Sequence, residues 1–423
     1  VVSVICEVDE AVVHRERNNP LKAAEAAQGF APKWERDLRR VLEDKTLDVV
    51  AIATPNHWHA LAAIWALQAG KDVYVEKPVS HNVSEGRRIV EAARHYKRIC
   101  QAGTQSRSST GLKEAMAFLH AGKLGKVKVA RGLCYKPRGS IGKVKGEQPI
   151  PRSIDYDLWC GPAPKKPLMR QRLHYDWHWT WDYGNGDLGN QGIHEMDKAR
   201  WGLARNDLAK SVLSVGGRFG YVDDGETANT QLVVFDYGDA ELIFEVRGLK
   251  TKDLLGAKVG VIFYGSDGYM VCPSYESGIV YDKDGKEVRR FTTPKEKGGD
   301  GGHFGNFVKA VRSGQVSDLT GDILEGHLSS ALCHLANVSY RLGSEQPYSK
   351  TTKAFGDDKD AAETLARTSE HLKENRVPLD ETNYRVGRRL TVDPAKETFV
   401  GDTQANAMLT REYRKPFVVP EKV

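Results

Sequence analysis

The chain has 423 residues, 62 Lys and Arg against 56 Asp and Glu for a net charge of +6, and 40% hydrophobic and 28% charged residues. Such proportions fit an ordinary globular protein of two domains or one large one. Basic and acidic residues are interspersed, with no basic block suited to nucleic acid. No apolar run approaches the roughly 18 residues of a membrane helix, so neither nucleic acid nor membrane is expected as a partner.

Val1 to Val8 reads as a strand with Glu7 and Asp9 at its end. A helix follows over Ala11 to Gln28, broken near Pro20 and ending at Gly29, and a short one starts at Asp37. The stretch from Leu47 to Pro78 organises the rest. An apolar run, Val49 to Ala53, ends in Thr54-Pro55-Asn56. A helical pattern with Leu61, Ile64, Trp65 and Leu67 on it stops at Gly70. A second apolar strand, Val73 to Val75, ends in Glu76-Lys77-Pro78. That is one parallel crossover unit, and ligands of open parallel sheets sit at the carboxyl ends of the strands. A helix to about Lys97, a strand Ile99 to Ala102 closed by Gly103-Thr104-Gln105, and a helix Leu112 to Ala121 come next.

TPNHWH followed some twenty residues later by EKP resembles the glucose-fructose oxidoreductase / inositol dehydrogenase / MocA family of nicotinamide-dependent enzymes, over roughly residues 1 to 340. The resemblance implies an α/β chain: a Rossmann-type parallel sheet, then an α+β domain with a large, mostly antiparallel sheet. We expect the dinucleotide-binding domain over 1–126, the substrate and oligomerisation domain over 127–343 and a wrapping extension over 344–423. If Val1 to Val8 is the second strand of the nucleotide-binding unit, Glu7 is the acid that binds the adenosine ribose, and it favours NAD over NADP by repelling a 2′-phosphate. No G-x-G-x-x-G turn precedes it, and the expected reading is a chain that lacks the first strand, phosphate loop and first helix.

Val127 to Cys134 should open the second domain, and Pro137 to Pro151 reads as a long loop. Asp155 to Pro164 resembles the D-x-W-x-G-P-A segment of one branch of the family. The next segment, HYDWHWTWDYGNGDLGNQGIHEMD, mixes aromatics with glycines and polar residues, which suits a sugar-sized pocket, and Trp177, Trp179 and Tyr183 are its candidate substrate contacts. Residues 212–290 alternate like an antiparallel sheet of at least five strands, with turns at Asp223-Asp224-Gly225 and Asp284-Gly285. Helices are expected over His303 to Arg312 and Ile323 to Leu342, and only short amphipathic pieces beyond Ser344. Six cysteines without a CxxC pair read as buried free thiols.

Chemistry concentrates on Lys77 and His194. The resemblance implies that Lys77 steers the substrate oxygen and handles its proton, with Glu76 orienting it and a cis bond before Pro78. Asn190-Gln191-Gly192-Ile193-His194 looks like the family's D-x-x-x-H, with His194 as base. At position 190 this chain has an amide, which orients a hydroxyl but takes no proton, so His194 works with Lys77 alone or with help from Asp187 or Glu195. Thr54, Pro55 and Asn56 should line the nicotinamide side, His59 should tether that loop or touch the ligand, and Gln105 should reach the cofactor. Asp182, Asp187, His194 and Glu195 can be imagined as a metal cluster, but hydride chemistry needs no metal. These features predict an NAD-dependent oxidoreductase of a sugar, polyol or glycoside, working as a homo-dimer or homo-tetramer. The alternatives are an NAD-dependent glycosidase that oxidises, eliminates and regenerates its cofactor, and a sugar-sensing protein without turnover. The compartment, cytoplasmic or exported, stays open.

Overall fold

The computed structural model describes residues 1–294 and 301–423. Five short strands come first: β1 (Val4–Cys6), β2 (Lys33–Glu35), β3 (Val49–Ile52), β4 (Asp72–Val75) and β5 (Cys100–Ala102). β3, β4 and β5 form one parallel sheet in that order, and β1 pairs in parallel with β2 alone among the described residues. The crossover expected between Val49 and Pro78 is present. Its helix runs Asn56–Gln68 and is nearly all buried, which is why its apolar residues run all round it rather than along one stripe. The predicted break near Pro20 separates helices Glu10–Val13 and Pro20–Gln28, and Pro20 takes the first helical position, where its missing N–H costs nothing. Gly29 ends the second helix in the left-handed region, φ 86°.

The second layer is a mixed sheet of twelve strands among the described residues. β6 (Val129–Cys134) enters its centre. β7 (Ser211–Gly217), β8 (Thr230–Asp236), β9 (Glu241–Arg247), β10 (Val259–Gly265), β11 (Gly268–Cys272), β12 (Ser277–Tyr281) and β13 (Glu287–Thr292) extend it. All pairings among these are antiparallel except that of β6 with β9. Helices Thr110–His120, Gly192–Gly202 and Ile323–Arg341 bury their apolar sides on one face, where Phe244, Phe263, Met196, Leu332 and Leu335 share the core. Asp284-Gly285 turns β12 into β13, with Gly285 at φ 78°. Asp223-Asp224-Gly225 lies in the long connection between the antiparallel strands β7 and β8, with the Gly225 amide donating to Asp223 Oδ1 at 3.1 Å. Its carboxylates also hold the Ser140–Val144 backbone, Asp223 Oδ2 accepting from the Ile141 amide at 2.8 Å and Asp224 Oδ2 from that of Val144 at 2.7 Å.

Residues 344–423 are more than short pieces. They supply β14 (Ser344–Pro347), β15 (Asn383–Val386), β16 (Leu390–Asp393) and β17 (Thr398–Phe399), with β15 and β16 both paired to β7. The helix Lys359–Glu374 lays Ala361, Leu365 and Leu372 on the outer sheet face against Leu213, Leu232 and Ile243. Part of the outer sheet face is therefore covered by the chain's own C-terminal helix. The last residues cross to the parallel layer, where Phe417 sits 5.5 Å from the Trp58 ring and 6.3 Å from that of Trp65. Five cysteines are buried, and Cys6 is exposed, contrary to the reading of all six as core thiols. Among the described residues no helix is long and apolar enough to cross a membrane.

Candidate active site

The three parallel strands end in the three loops singled out from the sequence. Thr54 to Asn56 follows β3, Glu76 to Pro78 follows β4, and Gly103 to Gln105 follows β5. His59 locks the first two together: Nδ1 lies 2.6 Å from the Pro78 carbonyl and Nε2 2.7 Å from that of Thr54. Burial pulls its pKa down while the two carbonyls pull it up, and both ring nitrogens are spent on the protein's own backbone. The Lys77–Pro78 peptide is cis. Gly103 has to be glycine because a Cβ there would stand 2.8 Å from a Glu76 carboxylate oxygen. Glu76 accepts from the Tyr74 hydroxyl at 3.3 Å and from the backbone amide of Lys77 at 3.3 Å.

Lys77 points away from that carboxylate. Its ammonium donates to the Asn190 carbonyl at 2.9 Å. This carbonyl is free to accept because the helix breaks there, Gly186–Asn190 ending just before Gly192–Gly202 begins. Glu76 therefore fixes the Lys77 main chain, not the Nζ, and position 190 contributes its backbone oxygen rather than its side chain. Burial lowers the Lys77 pKa, with Lys136 and Arg138 adding to the fall and Glu76 and Glu195 opposing it.

His194, on the second helix, is buried and held neutral, its pKa driven well down by burial and then by Lys77, Lys198 and Lys136. Its ring lies 4.8 Å from that of Tyr275. Asp187 does not serve His194. It is engaged by the Arg138 guanidinium at 2.8 Å. Asp182 is paired with Lys166 at 2.6 Å, and no group of three or more His, Cys, Asp or Glu among the described residues is placed to hold a metal.

The aromatic segment divides. Trp177 and Tyr183 are core residues, packed with Ile154, Trp159 and Leu173, and their polar atoms are used: the Trp177 indole donates to the His174 carbonyl at 2.9 Å and the Tyr183 hydroxyl to that of Pro164 at 3.1 Å. This corrects their assignment as substrate contacts. Trp179 instead lines a cavity of about 440 Å³ with Arg138, Ser140, Gln171, Arg172 and Tyr175. Arg138 stacks its guanidinium 5.3 Å from the Trp179 ring centroid and donates to the Tyr175 hydroxyl at 2.9 Å, so the residue that flanks Lys77 electrostatically is also a wall of this cavity.

Of the remaining cofactor candidates, Thr54 is exposed beside Pro55, while Asn56 is buried and donates to the Asn185 side chain at 3.1 Å, tying the loop to the second layer instead of facing a ligand. The Gln105 Oε1 and Thr104 Oγ1 atoms are buried with no hydrogen-bond partner among the described residues. Glu7 caps its own loop, its Oε1 accepting from the Asp9 amide at 2.9 Å. Sequence reasoning missed Lys136, Arg138, Gln191, Lys198 and Tyr275. Lys136 and Arg138 lie just beyond β6, in Tyr135-Lys136-Pro137-Arg138, and a basic pair at a strand end was the available signal. Tyr275, in the β11–β12 connection, had none.

Residues 9–104 match the family model described as "Oxidoreductase family, NAD-binding Rossmann fold", and residues 123–375 match "Oxidoreductase family, C-terminal alpha/beta domain". The chain belongs to this oxidoreductase family. Its NAD-binding half carries the three strand-end loops and its C-terminal half the His194 helix. Levoglucosan dehydrogenase of Pseudarthrobacter phenanthrenivorans is 27% identical over 198 residues, 46% of this chain and 43% of that enzyme. The scyllo-inositol 2-dehydrogenase (NAD(+)) of Bacillus subtilis is 35% identical over 130 residues, 30% of this chain and 38% of that one. The chain thus spans under half the length of these curated relatives. In fold it is similar to the WlbA dehydrogenase of Bordetella pertussis, solved in complex with NADH and UDP-GlcNAcA, at TM-score 0.53 and 20% identity over 78% of this chain and 85% of that one.

Proposed function

We propose that the chain is an NAD-dependent oxidoreductase that passes a hydride between nicotinamide and a hydroxyl-bearing carbon of a sugar or polyol. The observation that carries this reading is the placement of Lys77, held by the Asn190 carbonyl at 2.9 Å between the strand-end loops and the His194 helix. The nicotinamide, when bound, supplies hydride acceptance and donation. The unpartnered Gln105 and Thr104 oxygens and exposed Thr54 fit its reception at the strand ends.

Lys77 does the proton work. Burial favours its neutral form, and in that form the amine takes the substrate hydroxyl proton in oxidation while the ammonium returns it in reduction. His194, kept neutral, accepts or donates a hydrogen bond to the same hydroxyl. The cavity beside Arg138, Tyr175 and Trp179 receives the rest of the sugar: an aromatic wall for the apolar ring face and guanidinium donors for hydroxyls. Glu7 favours NAD over NADP. We also infer a homo-oligomer built on the outer sheet face that the Lys359–Glu374 helix leaves open around Tyr269 and Tyr281. Sedimentation of the wild type and of a Tyr281→Arg variant tests that point: a monomeric wild type contradicts it. The activity is tested by NADH formation across a panel of sugars and polyols, with Trp179→Ala expected to raise KM more than it lowers kcat.

A further inference from the structure

A second cavity, of about 400 Å³, opens where the C-terminal extension completes the large sheet. Arg218 lines it from just beyond β7, and Tyr340 and Arg341 line it from the end of the Ile323–Arg341 helix. Asn383 and Arg385 come from β15, which pairs with β7, and Trp181 and Glu226 close it. It shares a wall with the cavity beside Arg138: Trp179 lines that one and Trp181 this one. Glu226 holds both tryptophans, its amide donating to the Trp179 carbonyl at 2.8 Å and its Oε2 accepting from the Trp181 amide at 2.6 Å. Neither Lys77 nor His194 lines this second cavity.

Two of its three guanidiniums are already paired. Arg218 donates to the Asp223 carboxylate at 2.6 and 2.7 Å, and Arg385 to Glu345 at 2.9 Å. The Arg341 guanidinium makes no hydrogen bond or ion pair among the described residues and lies 5.0 Å from the Trp181 ring centroid. Glu226 spends one carboxylate oxygen on the Trp181 amide and has no cation within ion-pair distance among the described residues. Two opposite charges that line one cavity yet stand apart leave a space that a ligand can bridge. Tyr340 is only 8% exposed, yet its hydroxyl has no hydrogen-bond partner among the described residues. A polar group so placed calls for a partner from outside the chain.

The charges choose the ligand class. Arg218, Arg341 and Arg385 are balanced by Asp223, Glu226 and Glu345, so no surplus is left to draw an anion. What remains open is a guanidinium that donates, a carboxylate that accepts and a phenol that does both, beside aromatic surface. The hydroxyls of a pyranose donate and accept, and its C–H faces lie flat on rings. The volume suits a small ligand. We propose that this cavity is a second saccharide site that takes one neutral pyranose unit. Arg341 and Glu226 hold its hydroxyls, and Trp181 and Tyr340 pack on its ring. The site stands on these residues alone and does not rest on Lys77 chemistry.

The test reads binding and needs no turnover. Saturation-transfer NMR and titration calorimetry are run with methyl glucosides, methyl galactosides, cellobiose and maltose, and with glucuronate as the anionic control. At least one neutral sugar should bind the wild type, and glucuronate should bind no more tightly than the glucosides. Arg341→Met should weaken that binding at least tenfold, the loss of one charge-assisted hydrogen bond. Glu226→Gln, which keeps an acceptor for the Trp181 amide, should weaken it severalfold. Trp179→Ala, in the neighbouring cavity, should leave this binding in place. Absence of binding by every neutral sugar overturns the proposal, and so does tighter binding of glucuronate. Binding that Trp179→Ala abolishes and Arg341→Met spares also overturns it, while supporting the sugar pocket beside Arg138, so the two readings fail separately. If Arg341→Met does not fold, Glu226→Gln decides by the same criterion.

Discussion

Replacing Lys77 by Ala separates what this side chain does for the fold from what it does for the reaction. In the fold it makes one charge-assisted hydrogen bond, to the Asn190 carbonyl at the helix break. Such bonds contribute about 1.5–3 kcal/mol. The variant recovers part of that, because water can reach the carbonyl in a half-buried site and because Lys136 and Arg138 lose a repulsive neighbour. The net loss of stability should be about 1 kcal/mol, a melting shift of a few degrees at most. In the reaction, a positioned acid–base group is worth roughly 100- to 10,000-fold, or about 3–5 kcal/mol of transition-state stabilisation. The assay pairs thermal unfolding with kcat for NADH formation, and titrates NADH binding by fluorescence. Lys77→Ala should keep its fold and bind NADH within a few-fold of wild type, while kcat falls at least a hundredfold. Lys77→Arg should fall similarly, since a guanidinium does not give up its proton. A kcat within tenfold of wild type in Lys77→Ala would refute the role given to this residue.

Glu7→Gln keeps an acceptor for the Asp9 amide and removes the charge that would face a 2′-phosphate, so the NAD-to-NADP affinity ratio should fall roughly tenfold in paired titrations. Arg107 pairs with Asp197 at 2.8 Å and Glu325 at 2.9 Å inside the protein, and Arg107→Met should cost about 3 kcal/mol in denaturant unfolding by leaving the buried Asp197 carboxylate to the Ser329 hydroxyl at 2.7 Å and the Arg200 guanidinium at 3.8 Å. Stability should also fall in acid. Burial lowers His57 and His334 to about 3 from 6.5, so the unfolded chain takes those protons first, and the stability present above pH 6.5 is lost as pH drops through 6.5 toward 3. Thermal unfolding between pH 7 and 4 checks this, with His334→Gln expected to flatten the decline and an unchanged slope in that variant counting against it. Glu245, lowered to about 2 among Arg367, Arg247 and Arg131, adds a second loss as pH falls from 4.5 toward 2.

The parallel unit was legible because local signals agreed. Val49–Ile52 and Asp72–Val75 are short apolar runs, the helix between them is continuous, and polar clusters punctuate the strand ends where a parallel sheet puts its ligands. The C-terminal strands were not legible, since β14 to β17 have two to four residues each and owe their existence to pairing with β7 and with one another. Of the proposed site, Lys77 and His194 were singled out from motif and spacing. Trp177 and Tyr183 could not be told from pocket residues, because aromatic density looks the same in a core as in a cavity wall until neighbours are known. The charges that tune Lys77 were hidden for a similar reason: Lys136, Glu195 and Arg138 are separated from it by 59 to 118 positions in the chain and meet it only through the packing of β6 and the Gly192–Gly202 helix on the parallel layer.

We propose that this arrangement moves a hydride between nicotinamide and a sugar or polyol with Lys77 handling the proton. Its most direct test is NADH formation from NAD by the wild-type chain and by Lys77→Ala, across sugars, polyols and aryl glycosides. NADH should accumulate with at least one sugar or polyol and fail to do so in the variant. Bound NAD with no reduction by any member of the panel, or glycoside cleavage with no NADH accumulating, would contradict it.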